Sequence, residues 1–160
     1  MFRSVLVAHD LAAGGDQALS WAARLAELDH AKIILLHVVV APPVLAADPL
    51  VPALPLVSMT ENVSQVRARL EEAARRAGIP ADIQVVSGGN VGDAILSAAE
   101  RLDVDAIVMA THGRGPLSQA FLGSTAHHVV RNADVPVVTL RQGARRVRGR
   151  EAGAPGAAPA

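Results

Sequence analysis

The stretch DAIVMATHGRGPLSQAFLGSTAHHVVRNADVPVVTL, residues 105–140, holds two apolar runs joined by a glycine-containing loop and a short polar segment. The runs, 105–110 and 135–140, have the length and continuous hydrophobicity of strands that are buried on both faces. The segment 124–131 between them is predicted to be a helix. A strand, a helix and a second strand in this order are typical of a βαβ unit, whose two strands are parallel.

The same alternation extends back to the amino terminus of the chain. Further buried strands are predicted at 4–8, 32–40 and 81–87, and amphipathic helices at 14–28, 62–78 and 91–103. Asp16 or Gly15 is a candidate start for the first helix, Ser58 and Glu61 stand in capping-box spacing before the second, and Asn90 is a candidate cap for the third. Strands that alternate with helices five times predict a parallel sheet with helices on both of its faces.

Composition limits the class of protein. The chain has 160 residues, of which 51% are hydrophobic and only 2% aromatic, so it suits one domain with a core of Ala, Val, Leu and Ile. It has no cysteine, which excludes disulfides, thiol catalysis and zinc–thiolate sites. No apolar run approaches the roughly 20 residues that a membrane span needs, and the first ten residues do not resemble a signal peptide. We therefore expect a cytoplasmic protein.

Charge is unevenly distributed along the chain. The net charge is zero, but the residues from 141 onward hold five arginines and one glutamate, which leaves the rest of the chain acidic. An acidic body argues against a broad nucleic-acid surface, whereas the basic tail alone could contact an acidic partner. The tail, 142–160, is interpreted as disordered because it lacks residues to pack. The proline-rich segment 41–57 is predicted to be a functional lid or a disordered loop.

In a parallel sheet of this kind, ligands bind at the carboxyl ends of the strands. Neither the Walker motif nor GxGxxG is present. However, Gly113 and Gly115 permit a close backbone approach, and Gly123-Ser124-Thr125 brings amides and two hydroxyls to a helix N-terminus, where an anion is favoured. The alternative is a plain turn followed by a helix that Ser124 caps.

The segment THGRGPLSQAFLGSTAHHVVRNADVPVVTL closely resembles the C-terminal half of the universal stress protein family, whose nucleotide-binding members carry G-x2-G-x9-G-[ST]. Gly113, the nine residues that follow it, Gly123 and Ser124 match the last three terms of that motif in register. VLVAHD resembles the first strand of the family, LLHVV the second and DAIVMA the fourth. The resemblance covers residues 2 to about 141, so we assign 1–141 to a universal stress protein domain.

The resemblance implies a doubly wound five-stranded sheet in the order 3-2-1-4-5, which is a Rossmann-like sandwich that binds an adenine nucleotide. It implies ATP as the ligand, with or without Mg, in a stress-response regulator that dimerises through the last strand, 135–140, and acts on a further protein partner. The residues implied to bind the nucleotide are Ala8, His9, Asp10, Val38, Met109, Ala110, His112, Gly113, Arg114, Gly123, Ser124 and Thr125.

The chain departs from the family pattern at two of these positions. Ala110 replaces the first glycine of the motif, where a positive φ would cost an alanine about 1 kcal/mol and its methyl would crowd the ribose. His9 stands where the family often has a small residue, which would alter the adenine pocket. Both departures support an alternative reading, a dimeric interaction module of the same fold that binds no nucleotide.

Catalytic and metal-binding readings have less support in the sequence. No nucleophile, base and orienting group are grouped past the strand ends, so at most a slow ATPase or autophosphorylation at Ser124 or Thr125 is expected. His37 is interpreted as a satisfied histidine within a strand. His127 and His128 make a poor metal pair because adjacent side chains on a helix diverge by about 100°.

Overall fold

The computed structural model describes residues 2–40, 62–111 and 122–141. The elements in chain order are β1 (Ser4–Ala8), α1 (Ala13–Asp29), β2 (Lys32–Val40), α2 (Val63–Ala77), β3 (Ala81–Gly88), α3 (Val91–Arg101), β4 (Ala106–Thr111), α4 (Ser124–Asn132) and β5 (Val137–Arg141). The proline-rich segment, the motif loop that contains Gly113, and the tail lie outside the described residues.

The five strands form one parallel sheet in the order β3-β2-β1-β4-β5. The central strand, β1, pairs with β2 on one side and β4 on the other, so that Val7 stands opposite both Leu35 and Val108. The chain therefore reverses its direction of winding at β1, which confirms the predicted fold class and strand order. The gap between the β1–α1 and β4–α4 connections is the switch point, where such sheets bind ligands.

Helices cover the two faces of the sheet and create two apolar clusters. The first cluster packs Val7 and Leu35 against Leu19 of α1 and Leu70 of α2. The second packs Leu6 and Leu36 from the other face against residues of α3 and α4, including Ile95 and Val129. Because side chains alternate along a strand, neighbouring positions contribute to opposite clusters. Burial on both faces explains why the strands read as continuous apolar runs.

Two helices begin at an asparagine. The side-chain oxygen of Asn90 accepts hydrogen bonds from the amides of Gly92 and Asp93, which confirms the predicted cap of α3. The corresponding oxygen of Asn62 accepts from the amide of Ser64 at the start of α2. The predicted capping-box residues, Ser58 and Glu61, precede this cap and lie outside the described residues.

Other element boundaries differ from the predictions by one or two residues, and three of the starting points have a local cause. α1 begins at Ala13, before Asp16, because the Asp10 carboxylate accepts the amides of Ala12 and Gly15 ahead of the first turn. β4 begins one residue later than predicted, because the Asp105 side chain bonds the backbone of β1. β5 begins after Pro136, which lacks an amide for the ladder. None of the described helices combines the length and the hydropathy that crossing a membrane requires.

Candidate functional site

A cavity of about 350 Å³ opens at the carboxyl ends of β1, β2 and β4, beside the N-terminus of α4. Its volume falls within the usual range for small-molecule sites, about 300–1,000 Å³. Nine of the twelve predicted site residues border it: Ala8, His9, Asp10, Val38, Met109, Ala110, Gly123, Ser124 and Thr125. The other three, His112, Gly113 and Arg114, lie outside the described residues. The cavity thus coincides with the switch point of the sheet.

The inner wall of the cavity is apolar. Leu36, Val38 and Met109 line it from the sheet and are each less than 10% exposed. All three belong to the cluster beneath α3 and α4, and Ala126 of α4 extends the same surface. A wall of aliphatic and thioether groups suits a flat apolar ring better than a charged group, because it offers no partner for a charge.

The backbone of β2 continues past the end of β1. The amide of His9 donates to the backbone oxygen of Leu36 at 2.8 Å, while β2 runs on to Val40. Backbone groups of alternate residues in a strand face the same neighbour, so those of Val38 face the side where β1 has already ended. Val38 therefore presents a donor and an acceptor along one edge of the cavity.

Asp10 borders the cavity from the β1–α1 loop. Its Oδ1 accepts the amides of Ala12 and Gly15, both at 3.0 Å, so the carboxylate organises the start of α1. The sequence left a ligand role and a structural role open for this residue. The structure shows the structural role directly, and it also places the residue at the rim of the cavity.

His9 borders the cavity, and the sequence predicted that this residue would change the adenine pocket. The residue is 5% exposed, and its ring packs on the other side of the sheet against the first turn of α1. There Nδ1 accepts the amide of Leu11 at 2.9 Å, and Nε2 lies 3.3 Å from Oδ1 of Asp16. Burial lowers the pKa of His9 below its ordinary value, although the hydrogen bond to Asp16 opposes this shift.

His37, interpreted from the sequence as a satisfied strand histidine, is half-buried beside His9. Its Nδ1 donates to the backbone oxygen of His9 at 2.7 Å. This bond joins β2 to the residue that follows β1. The sequence did not predict that His37 would also border the cavity.

Ala110 adopts the backbone of a strand, and the non-glycine residues of the described chain with a positive φ are Leu11, His30 and Asp103. The strain expected for an alanine at this position is therefore absent. Its methyl packs with the first cluster, beneath α1 and α2, whereas Met109 packs with the second. Alternation along β4 directs this methyl away from the apolar wall, so the structure gives no support to the expectation that it crowds a ribose.

The N-terminus of α4 forms the other end of the cavity. The N-cap of this helix is Gly123, with φ −55° and ψ 154°, and no side chain makes a capping hydrogen bond. The alternative in which Ser124 caps the helix was therefore wrong. Among the described residues, no atom lies within 4 Å of a Cβ built on Gly123. Ser124 and Thr125 occupy the first two helical positions, where amides lack partners within the helix and favour an anion.

Five residues besides His37 border the cavity without having been predicted. They are Leu36, Val91, Ile95, Thr111 and Ala126. Alternation in β2 was a signal for Leu36, since it shares a face with Val38. Helical periodicity marks the buried faces of α3 and α4, but it does not indicate that those faces reach the cavity. Thr111 was missed because the predicted strand ended one residue earlier.

The described part of the chain contains no group of three or more His, Asp or Glu side chains arranged to hold a metal ion. The two adjacent histidines of α4 do not act together. Nε2 of His128 instead lies 2.6 Å from Oδ1 of Asp93 on α3.

Comparisons of the sequence and of the structure with known proteins find members of the same family. The family model described as the universal stress protein family matches residues 1–141. A universal stress protein of Thermus aquaticus is 31% identical over 141 residues, which are 88% of this chain and all of that protein.

Solved structures share the fold at low sequence identity. One is a universal stress protein in complex with cAMP, with a TM-score of 0.64, 18% identity, and coverage of 87% of this chain and 97% of that one. Another, from Archaeoglobus fulgidus, is in complex with dAMP, with a TM-score of 0.57, 20% identity, and coverage of 85% and 95%. With the family model matched over residues 1–141 and the sheet order as expected, this chain belongs to the universal stress protein family.

Proposed function

We propose that this chain binds ATP, or a related adenine nucleotide, in the cavity at the carboxyl ends of β1 and β4, and that it acts as a dimeric stress-response regulator. The observation that carries the proposal is the pairing of an apolar wall with a helix N-terminus in one cavity at the switch point. An adenine nucleotide has a flat apolar base at one end and an anion at the other, and so requires both features.

The base occupies the apolar end of the cavity in this proposal. Leu36, Val38 and Met109 contact its faces, and the backbone of Val38 bonds its edge. Asp10 lies toward the ribose, because it borders the cavity from the neighbouring loop and its Oδ1 is held by two amides. The methyl of Ala110 lies behind the sheet, so this departure from the motif leaves the proposal intact.

The phosphates occupy the end of the cavity formed by α4. The amides of Ser124 and Thr125 and their hydroxyls are the donors, and the helix dipole favours the negative charge. The open space beside Gly123 gives a phosphate oxygen room to approach the backbone. Mg²⁺ enters as an ion carried by the phosphates, since this ion is usually held by phosphate and water oxygens with one or two carboxylates. Gly113, His112 and Arg114 complete this end in the proposal on the strength of the motif alone.

Structural relatives support the ligand class. The two universal stress proteins described above were determined with cAMP and dAMP, both of which contain an adenine ring and a single phosphate. They share the parallel sheet of this chain, and the adenine nucleotide is the feature common to both ligands. This favours an adenine nucleotide over other anions, and the length of the motif loop favours ATP.

Dimerisation through β5 is the second part of the proposal. β5 is an edge strand that pairs with β4 alone among the described strands. Four of its five side chains, those of 137–140, are half-buried rather than exposed. An apolar edge of this kind is a liability in a monomer, and pairing with a second copy would cover it.

The test is a calorimetric titration of ATP with Mg²⁺ into nucleotide-stripped protein and into Gly123→Val. Valine tolerates the backbone angles of this position, and its Cβ would meet no atom of the described residues within 4 Å. The variant should therefore fold while its side chain fills the space proposed for a phosphate. Gly89→Val is the matched control, because a Cβ there also meets nothing within 4 Å and the residue does not border the cavity.

We expect micromolar binding to the parent and to Gly89→Val, and a loss of at least tenfold in Gly123→Val, about 1.4 kcal/mol. Light scattering on the same samples reports the dimer. A folded dimer that gives no heat with ATP would overturn nucleotide binding and favour the interaction module. A monomer that binds ATP would overturn dimerisation alone.

A further inference from the structure

The imidazole of His9 lies behind the proposed nucleotide site, on the opposite face of the sheet. β1 ends at Ala8, which packs with the cluster that forms the apolar wall. The next side chain projects to the other face, where it packs against Gly15 so closely that a Cβ there would lie 2.5 Å from Nδ1. His9 thus contacts the β1–α1 loop from the face of the sheet that α1 covers.

This ring makes hydrogen bonds that fix its own protonation state. Nδ1 lies 2.9 Å from the amide nitrogen of Leu11, so it must accept and carry no proton. Nε2 faces the Asp16 carboxylate at 3.3 Å, so it carries the proton of the neutral ring. One tautomer of uncharged His9 satisfies both partners, and a second proton would have to displace the Leu11 amide.

Leu11 needs this support, because its φ is +58°. A leucine in the left-handed region is strained by about 1–3 kcal/mol and persists only when its surroundings hold it there. Both of its backbone groups are held: the amide donates to His9, and Arg69 of α2 donates to the carbonyl at 3.1 Å. The turn at Leu11 in turn brings Ala12 and Gly15 to the carboxylate of Asp10, at the rim of the cavity.

We propose that His9 is a positioning residue for the nucleotide: neutral, it holds the β1–α1 loop in the conformation that presents Asp10 to the cavity, and a proton on Nδ1 releases the loop and weakens nucleotide binding. The inference rests on the proposed function. It predicts that affinity falls as the pH is lowered through the titration of this ring.

The charges around the ring are mixed. Asp16 and Asp10 favour the protonated ring, and His37 on β2 opposes it. Arg69, Glu72 and Arg76 of α2 border the same side of the sheet. Burial outweighs the two carboxylates, so the pKa of His9 lies below its ordinary value and the ring is neutral near pH 7.

His9→Asn separates positioning from charge. The amide oxygen of asparagine reaches about the place of Nδ1, so it can accept the Leu11 amide, but it takes up no proton in this pH range. The dissociation constant of ATP is measured at pH 7.5 and pH 5.5 for both proteins. The ligand is the same in both measurements, so the difference between the two ratios reports the replacement of His9.

We expect the ratio of the two constants to be larger for the parent than for His9→Asn, because only the parent can take up a proton on Nδ1 as the pH falls. His9→Ala should bind more weakly at both pH values, because it removes the acceptor. Equal ratios for the parent and His9→Asn would overturn the proposal while leaving the nucleotide function standing.

The amide signal of Leu11 in NMR spectra distinguishes the two failures. In the nucleotide-stripped parent it should shift with pH as His9 titrates, and in His9→Asn it should not. If the parent binds no ATP at any pH, the nucleotide function fails, and this signal alone decides whether His9 holds the loop. If the chemical shift of the Leu11 amide in the parent does not change with pH, the positioning role is overturned.

Discussion

Nε2 of His128 on α4 lies 2.6 Å from Oδ1 of Asp93 in the first turn of α3. The same imidazole packs on Gly92, where a Cβ would come within 2.7 Å of its Cδ2. The two helices therefore approach closely at a point that requires a glycine. Because α4 carries Ser124 and Thr125 at its other end, this contact fixes one side of the cavity.

Gly92→Ala should destabilise the protein by about 1 kcal/mol, because the added methyl displaces His128 and breaks its contact with Asp93. Alanine normally improves a helix, so a loss here reports the clash. Urea unfolding of Gly92→Ala, His128→Ala and the double variant forms a cycle. The loss of unfolding free energy in the double variant should be smaller than the sum of the two single losses by at least about 0.5 kcal/mol. Additive losses would show that the imidazole does not carry the effect.

Asn90→Ala should cost about 1 kcal/mol of stability, since the asparagine oxygen accepts two amides at the start of α3. Asn62→Ala should cost less, because its oxygen accepts one amide at the start of α2. Asn90→Gly, which leaves room for water at the amides, should cost only a few tenths of a kcal/mol. Equal losses for the alanine and glycine variants would contradict a role in capping.

His30 and Gly78 are both helix C-caps in the left-handed conformation. Each ends a helix with a positive φ, 54° for the exposed His30 after α1 and 68° for Gly78 after α2. His30→Gly should raise the free energy of unfolding by about 0.5–1 kcal/mol, because glycine adopts this backbone without strain.

Gly78→Ala is the converse change and should lower stability by a similar amount. A Cβ at Gly78 meets nothing within 4 Å, so backbone strain is the only cost. Thermal and urea unfolding of both variants measure the effect, with Gly89→Ala as a control at an open glycine of ordinary φ. If His30→Gly lowered stability, its imidazole would be making a contact that outweighs the strain.

Stability should fall in acid through Asp105. Amides of Ser4 and Arg3 donate to its Oδ2, at 2.9 and 2.6 Å, and hold the pKa of this carboxyl below its ordinary value of 3.8. A lowered pKa means that the unfolded chain takes up the proton first, so the stabilisation is complete above the unfolded value and is lost as the pH falls through the folded one. Asp105→Asn should therefore be less stable than the parent at pH 7, and the difference should shrink at pH 3. A difference independent of pH would contradict this assignment.

The sequence predicts the elements of this fold well, because continuous apolar runs reflect strands buried on both faces. The order of those strands followed from the resemblance of THGRGPLSQAFLGSTAHHVV and its companion motifs to a family, not from periodicity. The twelve site residues were likewise implied by the resemblance, and the cavity includes those of them that the structure describes.

The sequence did not predict the face of the sheet to which individual side chains point. His9 and Ala110 both adjoin the cavity by backbone, yet alternation sends their side chains behind the sheet. A motif match gives the position of a residue along the chain. It does not give the face of the sheet to which the side chain points, because that depends on the register of the strand relative to the helices packed on the sheet. The contributions of Val91 and Ile95 depend on the tilt of α3 over the sheet, which no local pattern records.

Position 110 holds an alanine where the family motif has its first glycine. Ala110 and Ala8 are both half-buried alanines at the ends of adjacent strands, but they pack on opposite faces. Ala110→Gly and Ala8→Gly should each lower stability by about 0.5–1 kcal/mol, because glycine weakens a strand.

Only Ala8→Gly should weaken ATP binding, by about three- to fourfold, since a methyl on the cavity face is worth about 0.8 kcal/mol. Restoring the family glycine at position 110 should bring no gain, because the methyl it removes packs with the first cluster rather than with the apolar wall. Isothermal titration of the two variants beside the parent checks this directly. Tighter binding by Ala110→Gly would mean that the alanine does crowd the nucleotide, and that β4 turns its end differently when the site is filled.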